Sequence, residues 1–190
     1  ISTHDEHLWL HPELVNLFIN NNNKFTIPHT VELPRLVLLD ATDTNLLLNL
    51  KVLGFENIPS IRYLYLNGNI IKHIPVDILS LKDTLLDLGV SRCQLKDLGN
   101  LESLTKLIYL DARNNSITSV SDEIKAMIEG QPGFESHFAG NPVCKIDTEL
   151  NCKPLCTDYC WSHSAFSNGH CDESCDSPQC NFDGGDCKVS

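Results

Sequence analysis

A frame of apolar residues recurs through most of the chain and limits what it can fold into. "LDATDTNLLL" from Leu39 and "LDARNNSITS" from Leu110 share one order: an apolar residue, Asp, Ala, two variable positions, a small polar residue, then an apolar residue shortly after. "LYLNGNIIKHIP" from Leu64 and "LGVSRCQLKDL" from Leu88 fit the same frame, and "FAGNPVC" from Phe138 matches its later half. "LFINNNNKFTIP" from Leu17 begins a further copy. The small polar slot falls at Thr44, Asn69, Cys93, Asn115 and Asn141, at intervals of 22 to 26 residues. In the first copy it is Asn22 or Asn23. A period of this length marks stacked units that share one core.

The frame resembles the LxxLxLxxNxL pattern of the leucine-rich repeat family. The resemblance implies an α/β solenoid, with short parallel strands on one side and irregular or short helical segments on the convex side. Each LxL is then a short strand whose leucines point inward while the residues between them face the concave side. The slot side chain satisfies backbone groups at the bend after the strand, where no ladder bond is available. Cysteine at the slot is a variant of the family, so Cys93 reads as a free, buried, structural thiol.

A solenoid needs covers at its ends. "SDEIKAMIEG" predicts a short helix with Ser121 as N-cap and Gly130 as stop. "FAGNPVCKIDTELNC" resembles the C-terminal cap of extracellular members of the family, closed by a Cys144–Cys152 bridge. "HLWLHPELVNLF" predicts a covering helix at the other end, through Leu8, Trp9 and Leu14. The domains are thus an N-terminal cap at 1–13, about six repeats over 14–143, a disulfide-bonded cap at 144–155, and a small module at 156–190.

Nine cysteines occur in the chain, six of them within 156–187. That density points to an oxidising compartment where disulfides persist. The six follow the spacing C-x3-C-x10-C-x3-C-x4-C-x6-C and enclose "NGHCDESC" and "FDGGDC". This resembles the Notch-type repeat of the Lin/Notch family (LNR). The resemblance implies the pairs Cys156–Cys180, Cys160–Cys175 and Cys171–Cys187. It also implies a Ca²⁺ site held by Asp183, Asp186, Asn168 and the backbone carbonyl of Ala165. Oxygen donors of this kind suit Ca²⁺ better than zinc or copper. Gly184 and Gly185 let the backbone curl so that both aspartates face one point. Asp172, Glu173 and Asp176 read as solvated acidic surface.

A formal net charge of −11 argues against nucleic acid or an anionic membrane as partner. No apolar run approaches the ~20 residues of a membrane helix, so no membrane contact is expected within this segment. The chain start lacks a signal-peptide profile, which suggests a mature protein or an excised ectodomain. No nucleophile elbow, zinc-protease helix or nucleotide fingerprint is present, and the chain reads as non-enzymatic. The expected role is extracellular protein–protein recognition, with a protein or peptide ligand on the concave face. The residues placed there are Asp40, Thr42, Tyr63, Tyr65, Asn67, Asp87, Gly89, Ser91, Tyr109, Asp111, Arg113, Glu135 and His137. Tyr63, Tyr65, Tyr109, Asp111 and Arg113 are the candidate partner-binding residues, since tyrosine and arginine anchor interfaces. "NNS" makes Asn114 an N-glycosylation acceptor at the rim of that face. Two other roles share the Notch-type resemblance: a masking segment of a larger receptor, or the recognition arm of a secreted enzyme.

Overall fold

The structure, a computed structural model, describes residues 11–22, 31–44, 54–152, 170–173, 175–180, 182 and 185–187. The chain divides into two compact units, Ile1–Cys152 and Lys153–Ser190.

The first unit is a solenoid-like stack around one parallel sheet. Its six strands are β1 (Asn16–Phe18), β2 (Leu38–Asp40), β3 (Tyr63–Tyr65), β4 (Asp87–Gly89), β5 (Tyr109–Asp111) and β6 (Glu135–His137). They lie in sequence order, each pairing with the next. The register aligns the frame residues: Leu17, Leu39, Leu64, Leu88, Leu110 and Ser136 form one row across the sheet. All six are buried. Behind this row, Leu36, Ile61, Leu85 and Leu107 are fully enclosed; beyond it, so are Ala41, Leu66, Val90, Ala112 and Phe138. Enclosing each leucine contributes roughly 1.5–3 kcal/mol, so the repeated apolar frame supplies the cohesion of the unit.

Short 3-10 segments connect the strands at Phe55–Asn57, Val76–Leu81 and Leu101–Ser103, and a further one, Pro142–Lys145, follows β6. The α-helix of this unit among the described residues is α1 (Asp122–Gly130), where Ser121 caps by accepting from the Ile124 N–H. It buries Ile124 and Met127. Lys125 on its outer side pairs with Asp147 and Glu149, inside the loop that the Cys144–Cys152 disulfide closes.

The slot residues carry out the bend. Asn69 donates to the carbonyls of Ala41 (2.8 Å) and Leu66 (2.9 Å). Asn115 donates to those of Val90 and Ala112, and Asn141 to those of Ala112 and Phe138. Each amide thus ties its own strand end to the preceding repeat. Cys93 makes a weaker version through Sγ, with the Leu66 and Ser91 carbonyls at 3.2 and 3.3 Å. Its thiol is free and buried, and burial pushes its pKa up to about 12. The residue before each slot is left-handed: Asn21, Asp43, Gly68, Arg92, Asn114 and Gly140 all have φ between 51° and 80°. Register and this left-handed turn place the first slot at Asn22.

One expectation is corrected. The covering helix does not extend over Leu14: residues 11–15 form a turn and a short extended run into β1. The Val15 carbonyl accepts from the Val37 and Leu38 N–H groups, which makes this segment the entrance to the sheet. Pro12 supplies no N–H to a helix, and pairing with β2 outweighs the helical spacing of the apolar residues. Leu8 and Trp9 lie outside the described residues.

Candidate functional site

The alternation of the strands puts two rows of side chains on the face opposite the core. One row is Asn16, Leu38, Tyr63, Asp87, Tyr109 and Glu135; the other is Phe18, Asp40, Tyr65, Gly89, Asp111 and His137. A third row follows the strands, with Thr42, Asn67, Ser91 and Arg113 held by continuing backbone bonds. The three tyrosines expected on one face are therefore together, with Phe18 and Tyr63 the more exposed of its aromatics.

Much of this face is not solvent-facing, which corrects the expectation from alternation. Asp111 and Arg113 are 2% and 4% exposed. They form a two-pronged pair: Arg113 Nε donates to Asp111 Oδ1 and Nη2 to Oδ2, each at 2.8 Å. The pairing fixes the Arg113 guanidinium against Asp111 and braces this part of the face. Asn67 and Ser91 are likewise buried and linked, the Ser91 N–H and Oγ–H both donating to Asn67 Oδ1. Gly89 makes that link fit. A Cβ there would stand 2.8 Å from Asn67 Nδ2 and 3.0 Å from Tyr65 Cδ1, closer than side-chain carbons approach.

At the β6 side, His137 Nε2 lies 2.7 Å from Glu135 Oε1 and His137 Nδ1 lies 3.3 Å from Asn151 Nδ2. Burial lowers the His137 pKa despite the Glu135 hydrogen bond. A neutral ring fits both contacts, with Nε2–H donating to Glu135 and Nδ1 accepting from Asn151. The Tyr109 ring packs beside it at a centroid distance of 5.6 Å.

The centre of the face holds Asp87. Its Oδ2 accepts from the Tyr65 hydroxyl at 2.9 Å. Among the described residues, its Oδ1 is a buried side-chain oxygen without a hydrogen-bond partner. Leaving such an oxygen unsatisfied costs about 1–3 kcal/mol. Burial, with the charges of Asp111 and Glu135, pushes the Asp87 carboxyl up to about 6 although the Tyr65 bond opposes this. Burial and the neighbouring carboxylates also push the Tyr65 and Tyr109 phenols upward.

A pH dependence follows. The folded value of Asp87 lies above the unfolded 3.8, so the folded chain binds this proton more tightly. The group's stabilising contribution is full below pH 3.8 and is lost as pH rises through about 6. Asp87→Asn should therefore raise stability by about 2 kcal/mol at neutral pH and by almost nothing near pH 4. Urea unfolding of both forms across that range measures it; an equal gain at both ends would reject the account.

In the second unit, Cys171 is bonded to Cys187. Cys175 and Cys180 are also disulfide-bonded; their expected partners Cys160 and Cys156 lie outside the described residues. The Phe182 carbonyl accepts from the N–H groups of Gly185 (3.1 Å) and Cys187 (3.0 Å), with Phe182 and Gly185 both left-handed. This curls the chain tightly around Asp186, which is half-buried. Of the other expected calcium ligands, Ala165, Asn168 and Asp183 lie outside the described residues. Asp176 sits beside Cys171 and Cys187 at metal-ligand spacing, but those two sulfurs are joined to each other and supply no thiolate. What remains there for a cation is the Asp176 carboxylate, a hard oxygen donor of the kind Ca²⁺ takes.

The family model described as Notch, LNR domain, matches residues 150–188. No curated protein matches the chain. No helix among the described residues is long and apolar enough to cross a membrane.

Proposed function

We propose that the chain is a non-catalytic extracellular recognition module. Residues 14–143 act as a leucine-rich-repeat solenoid, and the strand face takes a protein or peptide ligand. Residues 156–190 act as an LNR held by disulfides and by Ca²⁺ on Asp183, Asp186, Asn168 and the Ala165 carbonyl. The observation that carries this reading is the in-register strand face, where Phe18, Tyr63, Tyr65 and Tyr109 stand over a floor braced by buried polar pairs. Rigid aromatic side chains on a braced floor lose little conformational freedom on binding, which is what an interface anchor requires. Tyr63, Tyr65 and Tyr109 are the anchors in this reading, with Asp111 and Arg113 as their support. Asn114, exposed at the turn after β5, takes an N-linked glycan at the rim.

Capture of an extracellular partner on the immobilised chain, followed by titration of Tyr65→Ala and Tyr109→Ala, tests it. Each substitution should weaken the partner by about tenfold or more, the usual cost at an interface centre. Unchanged affinity in both would remove the strand face from the binding surface. The LNR match favours one further reading, in which this unit masks a segment of a longer polypeptide. Protease sites newly exposed on chelation would identify that role.

A further inference from the structure

The charge on the strand face selects its partner. The six strands carry Asp40, Asp87, Asp111 and Glu135 and contain no lysine or arginine. Arg113, just beyond β5, is the cation of the third row, and the Asp111 carboxylate already grips it on two sides. Asp40, Asp87 and Glu135 are half-buried carboxylates on the same face, Glu135 in contact with His137. Asp87 is central among them. Tyr63 and Tyr109 flank it in register, the Tyr65 hydroxyl holds one of its oxygens, and the other oxygen has no partner among the described residues.

Resting on the recognition reading above, we propose that this face takes a polypeptide segment bearing an arginine or lysine side chain, whose cationic head settles on Asp87 among the Tyr63, Tyr65 and Tyr109 rings. A guanidinium or ammonium group supplies the hydrogen-bond donor that the orphaned oxygen lacks. Its charge gains from the carboxylates around it, in surroundings poor in water. Tyrosine ring faces attract the same cation. Selection against other partners comes from the same residues. An acidic segment meets three carboxylates, and a neutral one leaves the Asp87 oxygen unsatisfied. The raised pKa of Asp87 adds a signature: the attraction fades as Asp87 takes up a proton below about pH 6.

The test uses the full chain with Ca²⁺ and a displayed library of random heptapeptides. Recovered peptides are titrated by fluorescence anisotropy, and amide hydrogen exchange reports where they sit. The recovered sequences should carry arginine or lysine and should slow exchange in β3 to β5. Replacing that cation by glutamine or citrulline should weaken binding about tenfold or more, as should Asp87→Asn, the typical effect of breaking a desolvated charged contact. Glu102→Gln, on the 3-10 segment Leu101–Ser103, should change it less than about twofold, since rim and remote charges contribute little. Because Asp87→Asn is expected to be more stable than the native chain, loss of binding there is not loss of fold.

Peptides that slow exchange in these strands yet keep their affinity without a cation, or on Asp87→Asn, overturn this inference and leave the recognition face standing. Equal losses in Asp87→Asn and Glu102→Gln also overturn it, as diffuse attraction to an acidic chain. If no peptide slows exchange in the strands, the recognition face falls and this inference falls with it.

Discussion

Replacing Asn115 by alanine should lower the unfolding free energy of the first unit by about 4 kcal/mol, an order of magnitude set by how many buried backbone groups it leaves unpaired. The amide nitrogen donates to the Val90 and Ala112 carbonyls, both at 2.9 Å. The amide oxygen accepts from the N–H groups of Cys93 (2.9 Å) and Leu95 (3.0 Å). Alanine removes all four at once, together with the longer 3.2 Å contact to the Arg113 carbonyl. Each orphaned group costs about 1–3 kcal/mol, and the total stays below the sum because neighbouring groups relax together. Coupling between repeats adds to the effect. The Ala112 carbonyl also accepts from Asn141, and the Leu66 carbonyl serves both Asn69 and the Cys93 thiol. A stack in which each repeat touches only its neighbours loses cooperativity where one such tie is cut. Cys93→Ala removes one weak donor and should cost only about 1 kcal/mol. Urea unfolding followed by circular dichroism compares the two; a loss below about 1 kcal/mol for Asn115→Ala would mean that the slot amides are not what joins the repeats.

The contrast between these two substitutions also shows what the sequence makes readable. A slot that recurs beside a leucine frame announces its own hydrogen-bond duty, because only one arrangement of strands places every leucine of the frame inside. Cys93 stands out as the buried thiol for the same reason. The first slot could not be chosen between Asn22 and Asn23, since Asn20 to Asn23 all carry the same side chain. The register of Leu17 with Leu39 and the left-handed turn at Asn21 resolve it. The strand face was readable in membership and not in state. Alternation tells which side a residue takes. It does not tell that Asn67 and Ser91 on adjacent repeats come close enough to bond. Asp111 and Arg113 carried one usable sign, their spacing of two, which puts both on the same side of an extended chain. The pairs Asn67–Ser91 and Tyr65–Asp87 join residues more than twenty positions apart and have no local sign at all. The turn at residues 11–15 has no local sign for a related reason: pairing of Val15 with β2 depends on a strand that the local pattern does not contain.

Chelation should produce the largest change of all, complete loss of order in the second unit while the solenoid-like unit stays folded. Lys153–Ser190 is too short to enclose a conventional apolar core; chains below ~40 residues need disulfides or a metal. Among its described residues, the buried side chains are those of Cys175, Cys180 and Cys187. These three described buried side chains all carry sulfur. The same short stretch carries Asp172, Glu173, Asp176 and Asp186. Their mutual repulsion opposes compaction unless a divalent cation offsets it, and oxygen donors select Ca²⁺. Metal binding to such a unit is then inseparable from its folding. With disulfides intact at neutral pH, EDTA should collapse the dispersion of the amide resonances of residues 170–187, and added Ca²⁺ should restore it. Mg²⁺ should do so only at far higher concentration, since it sheds its water reluctantly. Asp186→Ala should weaken the Ca²⁺ requirement curve by about tenfold or more without touching the resonances of β1 to β6. Resonances that stay dispersed in EDTA would show that the sulfur crosslinks hold this unit unaided, and the calcium assignment would be lost while the strand face kept its own standing.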